Sequence, residues 1–140
     1  HVVKTYGAKG IELDSVYDLD MDIYAPCALG GTINDNTLPK LKCAIVAGAA
    51  NNQLGEEDLH GKALLERGIL YAPDFAINAG GVINCFSEVE GHSSEWAMGK
   101  SEEIYQTIYN IVNRSEKERV PSHIIAMKMA EEKINNGPKK

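Results

Sequence analysis

Residues 43–72, CAIVAGAANNQLGEEDLHGKALLERGILYA, decide the fold. The apolar run Cys43 to Ala47 reads as one buried strand and Ile69 to Ala72 as another. Between them Glu56, Glu57 and Asp58 open a segment that carries Leu59, Leu64 and Leu65 and closes on Arg67 and Gly68. Acidic residues in the first turn, a cation in the last and a glycine just beyond are the marks of a helix. Strand, helix and strand within about 30 residues make one βαβ unit, whose strands lie parallel in a helix-covered sheet. The fold class is therefore α/β.

Upstream, Asp20 to Ala25 supplies a further strand ahead of this unit. Downstream the pattern changes period. From Ser94 to about Lys117, Ile104, Ile108 and Ile111 recur at helical spacing among charged and polar residues, which predicts one long amphipathic helix. Pro121 restarts the chain, Ser122 is placed to cap a second helix, and Ile124, Met127, Ala130 and Ile134 mark its apolar stripe. Met127 and Met129 are expected to pack rather than bind. The tail from Asn135 to Lys140 ends that helix.

A chain of 140 residues holds one ordinary domain. With 44% hydrophobic and 24% charged residues it is neither disordered nor fibrous. Fourteen cationic side chains against twenty acidic ones leave a net charge of -6, which argues against nucleic acid and anionic lipid as partners. No apolar run approaches the ~20 residues that span a bilayer, and the start lacks signal-peptide features. The expectation is a cytoplasmic protein with no membrane partner. An odd number of cysteines, Cys27, Cys43 and Cys85, points the same way, to reduced thiols. The match to a glycosylation acceptor at Asn113 to Ser115 falls in the long helix and is discounted. His60, His92 and His123 show no metal-ligand spacing, so no metal site is expected, and surface or capping roles are assigned to them. The chain opens at His1 rather than Met, which reads as a piece of something longer.

The segments after the strands carry the chemistry. The first strand runs into Pro26-Cys27-Ala28-Leu29-Gly30-Gly31, the second into Gly48-Ala49-Ala50-Asn51-Asn52-Gln53, the third into Pro73-Asp74-Phe75-Ala76-Ile77-Asn78-Ala79-Gly80-Gly81. In a parallel sheet all three emerge at the carboxyl edge, where open α/β folds bind ligands. Tight turns need Gly and Asn in any case, and for one loop that suffices. Three such loops at one edge point to a ligand site, since small residues admit close approach and Asn both donates and accepts. Cys27 fits an activated thiol, but a small buried residue is the plainer reading. No G-x-G-x-x-G phosphate loop occurs.

The runs Asp22 to Gly30, Ala47 to Leu54 and Tyr71 to Asn84 resemble, in order, motifs of the carboxyl-terminal half of the Glu/Leu/Phe/Val dehydrogenases, most of all the leucine-specific branch. The resemblance extends from about Tyr17 to Ile134 and includes Met129 to Ile134. It implies reversible, NAD-dependent oxidative deamination of leucine or another branched-chain L-amino acid to the 2-oxo acid and ammonia. It also implies a homo-oligomer at full length. Family members carry their catalytic lysines and aspartate in a preceding substrate domain, followed by the strand with the glycine fingerprint. Neither lies in this chain, so no catalytic residue is expected within it. The implied architecture is the second half of a Rossmann-type parallel sheet followed by two closing helices. Residues 1–92 would belong to the NAD-binding domain and 93–140 to the helices.

Carried over by motif, Ala25, Pro26, Cys27, Ala28 and Leu29 border the dinucleotide. Asn51 and Asn52 sit by the nicotinamide and its ribose, with Asn52 the one facing the cleft. Asn78, Gly80 and Gly81 line the cleft, and Val82 and Cys85 shape the side-chain pocket. Leucine-specific relatives often have Val where this chain has Cys85. A reading of a different class makes the 140 residues a free-standing nucleotide-binding or interaction module without catalysis.

Overall fold

The computed structural model describes residues 1–137; the last three residues of the expected tail lie outside it. A parallel three-stranded sheet of order β1-β2-β3 is built from β1 (Ile23–Tyr24), β2 (Ile45–Val46) and β3 (Leu70–Tyr71). The helices among the described residues are α1 (Val2–Tyr6), α2 (Glu57–Glu66), α3 (Asp74–Ile77), α4 (Gly80–Val89), α5 (Ser94–Glu118) and α6 (Ser122–Asn136), with 3-10 turns at Leu13–Asp18 and Leu38–Lys40. None of them is long and apolar enough to cross a membrane.

The strands are where the sequence places them but shorter than the expected runs. Two residues of each pair in register, Ile23 with Ile45 and Leu70, Tyr24 with Val46 and Tyr71. Period-two alternation puts Tyr24, Val46 and Tyr71 on one face, and all three are buried. Ile33, Leu41 and Leu64, each at most 1% exposed, pack with them in the main core. Removing such a side chain from water contributes ~1.5–3 kcal/mol. Ile23 points the other way at the sheet edge and is 54% exposed, so β1 is not the wholly buried strand expected.

Helix α2 begins without a side-chain cap from its N-cap residue. His60 does that work from one turn inside, its Nδ1 accepting the Glu56 N–H at 2.8 Å while Nε2 faces Asp35 Oδ1 at 3.1 Å. His60 and His123 are both buried, which corrects the surface assignment; His92 is exposed and stacks on Trp96. At its far end α2 is tied down by Arg67, whose guanidinium donates to the Leu38 and Leu41 carbonyls.

A second core joins α5 to α6 through Ile111, Ile125 and Ala126. Ser93 caps α5 by accepting the Trp96 N–H at 3.2 Å. Arg114 spans the two helices as a fork on Glu132, both bonds 2.9 Å, which holds the Glu132 carboxyl below the usual carboxylate range. Two expectations for α6 fail. Pro121 occupies the N-cap, and the Ser122 hydroxyl instead donates to the Tyr71 carbonyl at 2.6 Å, tying the helix to the end of β3. The buried face carries Ser122, Ile125 and Ala126, with Met129 packed beside them; Met127 and Ile134 are exposed.

Candidate functional site

The loops after β1 and β2 are knitted together by backbone bonds, and the loop after β3 joins them through side chains. Ala50 N–H donates to the Pro26 carbonyl at 3.0 Å and Gly31 N–H to the Asn52 carbonyl at 2.7 Å. Ala49 N–H points at Cys27 Sγ, 3.5 Å away. From inside, fully buried Gln53 donates through Nε2 to the Gly48 and Ala50 carbonyls at 2.7 and 2.9 Å, which braces the second loop in a fixed curve. Two glycines let the loops approach this closely. A Cβ on Gly30 would press on the Asn51 and Asn52 carbonyls, and one on Gly48 would collide with Pro26.

The third loop grips the second from the other side. Asp74, a residue only 7% exposed, opens α3. Its Oδ2 accepts the Asn52 N–H at 2.5 Å and its Oδ1 accepts the Tyr71 phenol at 3.0 Å. Burial, reinforced by that neighbouring carboxylate, pushes the Tyr71 hydroxyl well above the ordinary tyrosine range. One turn further on, Asn78 Nδ2 donates to the Ala49 carbonyl at 3.2 Å and to Asn51 Oδ1. Asn52 lies between these grips with φ of 52°, in the left-handed region that non-glycine residues seldom occupy.

Ala25, Cys27, Ala28, Leu29, Asn51 and Asn52 are exposed, Asn78 is half-buried, and Pro26 is buried beneath them. Cys27 is thus not the buried residue the sequence favours. All three cysteines are free. Asn51 spends its side-chain oxygen on Asn78, whereas Asn52 is held through its backbone, and among the described residues its amide takes no hydrogen bond. Gly80, Gly81, Val82 and Cys85 follow in the first turns of α4, where Val82 is 74% exposed and Cys85 also faces outward. Asp74, Gln53 and Tyr71 escape the sequence reading. The carboxylate after Pro73, at the end of a strand where no charge is needed, was the available signal. Among the described residues no cluster of His, Cys, Asp or Glu could hold a metal ion.

A family model described as Glutamate/Leucine/Phenylalanine/Valine dehydrogenase matches residues 2–135, all but the two ends of the chain. The chain belongs to this dehydrogenase family. It is 52% identical over 132 residues to leucine dehydrogenase of Thermoactinomyces intermedius, covering 94% of this chain and 36% of that protein. Leucine dehydrogenase of Bacillus cereus is 47% identical over the same length, with the same two coverages. The crystal structure of L-tryptophan dehydrogenase from Nostoc punctiforme superposes with a TM-score of 0.94 at 45% identity, over 96% of this chain and 40% of that one. The chain thus spans about 36% of the length of those curated relatives.

Proposed function

We propose that these residues are the carboxyl-terminal portion of an NAD-dependent amino-acid dehydrogenase that deaminates leucine or another branched-chain L-amino acid to the 2-oxo acid and ammonia. The observation that carries this is the convergence of the three motif-bearing loops on one sheet edge in a member of this family. Residues 1–92 are read as part of the NAD-binding domain, within a Rossmann-type sheet, and 93–140 as its closing helices.

The donor set at the edge suits the nicotinamide end of a dinucleotide. Ala25, Cys27 and Ala28 are small and exposed, leaving room for a flat ring, and the outward amide of Asn52 offers both a donor and an acceptor to ribose hydroxyls. When bound, the dinucleotide supplies the hydride acceptor. The residues of this chain orient it: Asn52 bonds the ribose, the Asn51–Asn78 pair stiffens the loop behind it, and Val82 and Cys85 offer a small apolar wall to the substrate side chain. Proton handling falls to residues outside these 140. Orientation of this kind controls rate steeply, because the reacting carbon must stand within near-attack distance of the ring. The free cysteines agree with a reducing, cytoplasmic setting. The outward apolar side chains Val82, Phe86 and Val89 of α4 agree with a surface that other parts of the enzyme or a second subunit cover.

The test is to express the full-length native protein and follow NADH formation with leucine, isoleucine, valine, phenylalanine and tryptophan. Turnover led by a branched-chain substrate is expected. No NADH with any of the five sinks the proposal. The 140-residue chain alone is expected to give no NADH above a heat-killed control. An intact mass near 15.3 kDa for the protein in its source would instead favour the free-standing module.

A further inference from the structure

The reaction proposed above gives Asp74 no direct part, yet the geometry of the site turns on it. A carboxylate buried this deeply is costly, and a neutral acceptor would satisfy one N–H and one phenol at far lower cost. What a charge adds is strength, since bonds to an ionised acceptor are shorter and about twice as strong as neutral ones. The stronger bond goes to the backbone N–H of Asn52, the one non-glycine residue of the three loops with a left-handed backbone. Such a conformation persists only where its surroundings over-determine it. Asp74 supplies that constraint together with Asn78, which sits one turn along and closes the turn through its own N–H on the Asp74 carbonyl at 2.9 Å. The two residues therefore clamp the Ala49 to Asn52 segment at both ends.

We infer that Asp74 is a positioning residue for the dinucleotide: acting through the Asn52 backbone, it fixes the direction in which the Asn52 amide leaves the loop. This rests on the functional reading above. Tyr71 donates to the other oxygen of the same carboxylate and, among the described residues, makes no hydrogen bond to the Ala49 to Asn52 segment, so it serves as the internal control.

The experiment is a fluorescence titration of the full-length enzyme with NADH, with thermal midpoints measured alongside. Four proteins are compared: wild type, Asp74→Ala, Asp74→Asn and Tyr71→Phe. Loss of a charged hydrogen bond predicts a roughly tenfold weaker Kd for Asp74→Ala. Asp74→Asn keeps an oxygen for the Asn52 N–H and should weaken Kd about threefold, the effect of charge alone. Tyr71→Phe should lower the thermal midpoint and leave Kd within about twofold, because it spares the Asn52 bond. Folded Asp74 variants that bind NADH as wild type does overturn the inference. So does a Tyr71→Phe variant that weakens binding as much as the Asp74 variants, since the carboxylate would then be merely structural. Should Asp74→Ala fail to fold, the Asp74→Asn against Tyr71→Phe comparison decides by the same criteria. A wild-type enzyme that does not bind NADH removes the functional reading itself, an outcome distinct from variants that bind normally.

Discussion

Gly48 crosses the Pro26 peptide so closely that a Cβ on Gly48 would overlap both the carbonyl oxygen and the nitrogen of Pro26. Backbone cannot swing aside as a side chain can. Gly48→Ala should therefore destabilise the fold by about 1–3 kcal/mol or more, as overpacking does. It should also separate the first two loops and weaken NADH binding in the full-length enzyme. Thermal unfolding and the NADH titration check both halves; an unchanged midpoint refutes the prediction.

The two adjacent asparagines should respond differently. Because Asn52 has a left-handed backbone, Asn52→Gly is a cleaner probe than Asn52→Ala, removing the amide without forcing a Cβ into a disfavoured conformation. In the full-length enzyme it should lower kcat/KM about tenfold or more, the scale of one lost hydrogen bond. Asn51→Asp should be mild, because the carboxylate still accepts from Asn78. If instead Asn52→Gly keeps wild-type kinetics while Asn51→Asp abolishes NAD binding, the two roles must be exchanged.

Val82→Leu tests the proposed pocket. At 74% exposure the side chain packs against little within this chain, so the substitution should leave the thermal midpoint nearly unchanged. One added methylene in an apolar pocket shifts discrimination by roughly 1–3 kcal/mol, here against leucine and toward valine. The ratio of kcat/KM for the two amino acids is the measurement, and a ratio equal to wild type rejects the assignment.

Tyr71 makes stability sensitive to alkali. Its phenol holds its proton more tightly folded than unfolded, where the ordinary value of 10.0 applies. The stability linked to that proton is therefore complete below pH 10.0 and is lost as pH rises from there through the folded-state value. Tyr71→Phe carries no such proton. In denaturant titrations the gap between wild type and Tyr71→Phe should stay constant from neutral to about pH 9 and narrow beyond it. Parallel curves throughout would mean that the phenol titrates as it does in the unfolded chain.

Helix α5 was legible nearly to the residue, because its isoleucines keep helical spacing and Ser93 caps it locally. The strands were legible as places but not as lengths, since pairing depends on neighbours that the local pattern does not name. Helix α6 offers apolar residues on more than one side. Packing on Ile111 and its neighbours and the bond to the Tyr71 carbonyl select the Ser122, Ile125 and Ala126 side over that of Met127 and Ile134. The three loops stood out through their Gly and Asn content, but the fastening between them did not. Asp74 is 22 residues from the Asn52 N–H it accepts, and nothing in either local pattern announces the other. A separation of 25 residues likewise hid the burial of His60, whose ring reaches Asp35.

Of the side chains on α4 only Ser87 is buried, so neither core depends on what the rest of that helix displays. Proteins named for leucine and for tryptophan share this chain's sequence at 52% and 45% identity, and the tryptophan one its backbone with a TM-score of 0.94. Under the proposed reading, Val82 and Cys85 stand on a helix whose outward face mutation can rewrite without disturbing the core. Substrate preference is then the evolvable part of this portion of the proposed enzyme. The loop assigned to the coenzyme has no such freedom, because bonds from Gln53, Asp74 and Asn78 within the chain fix its course.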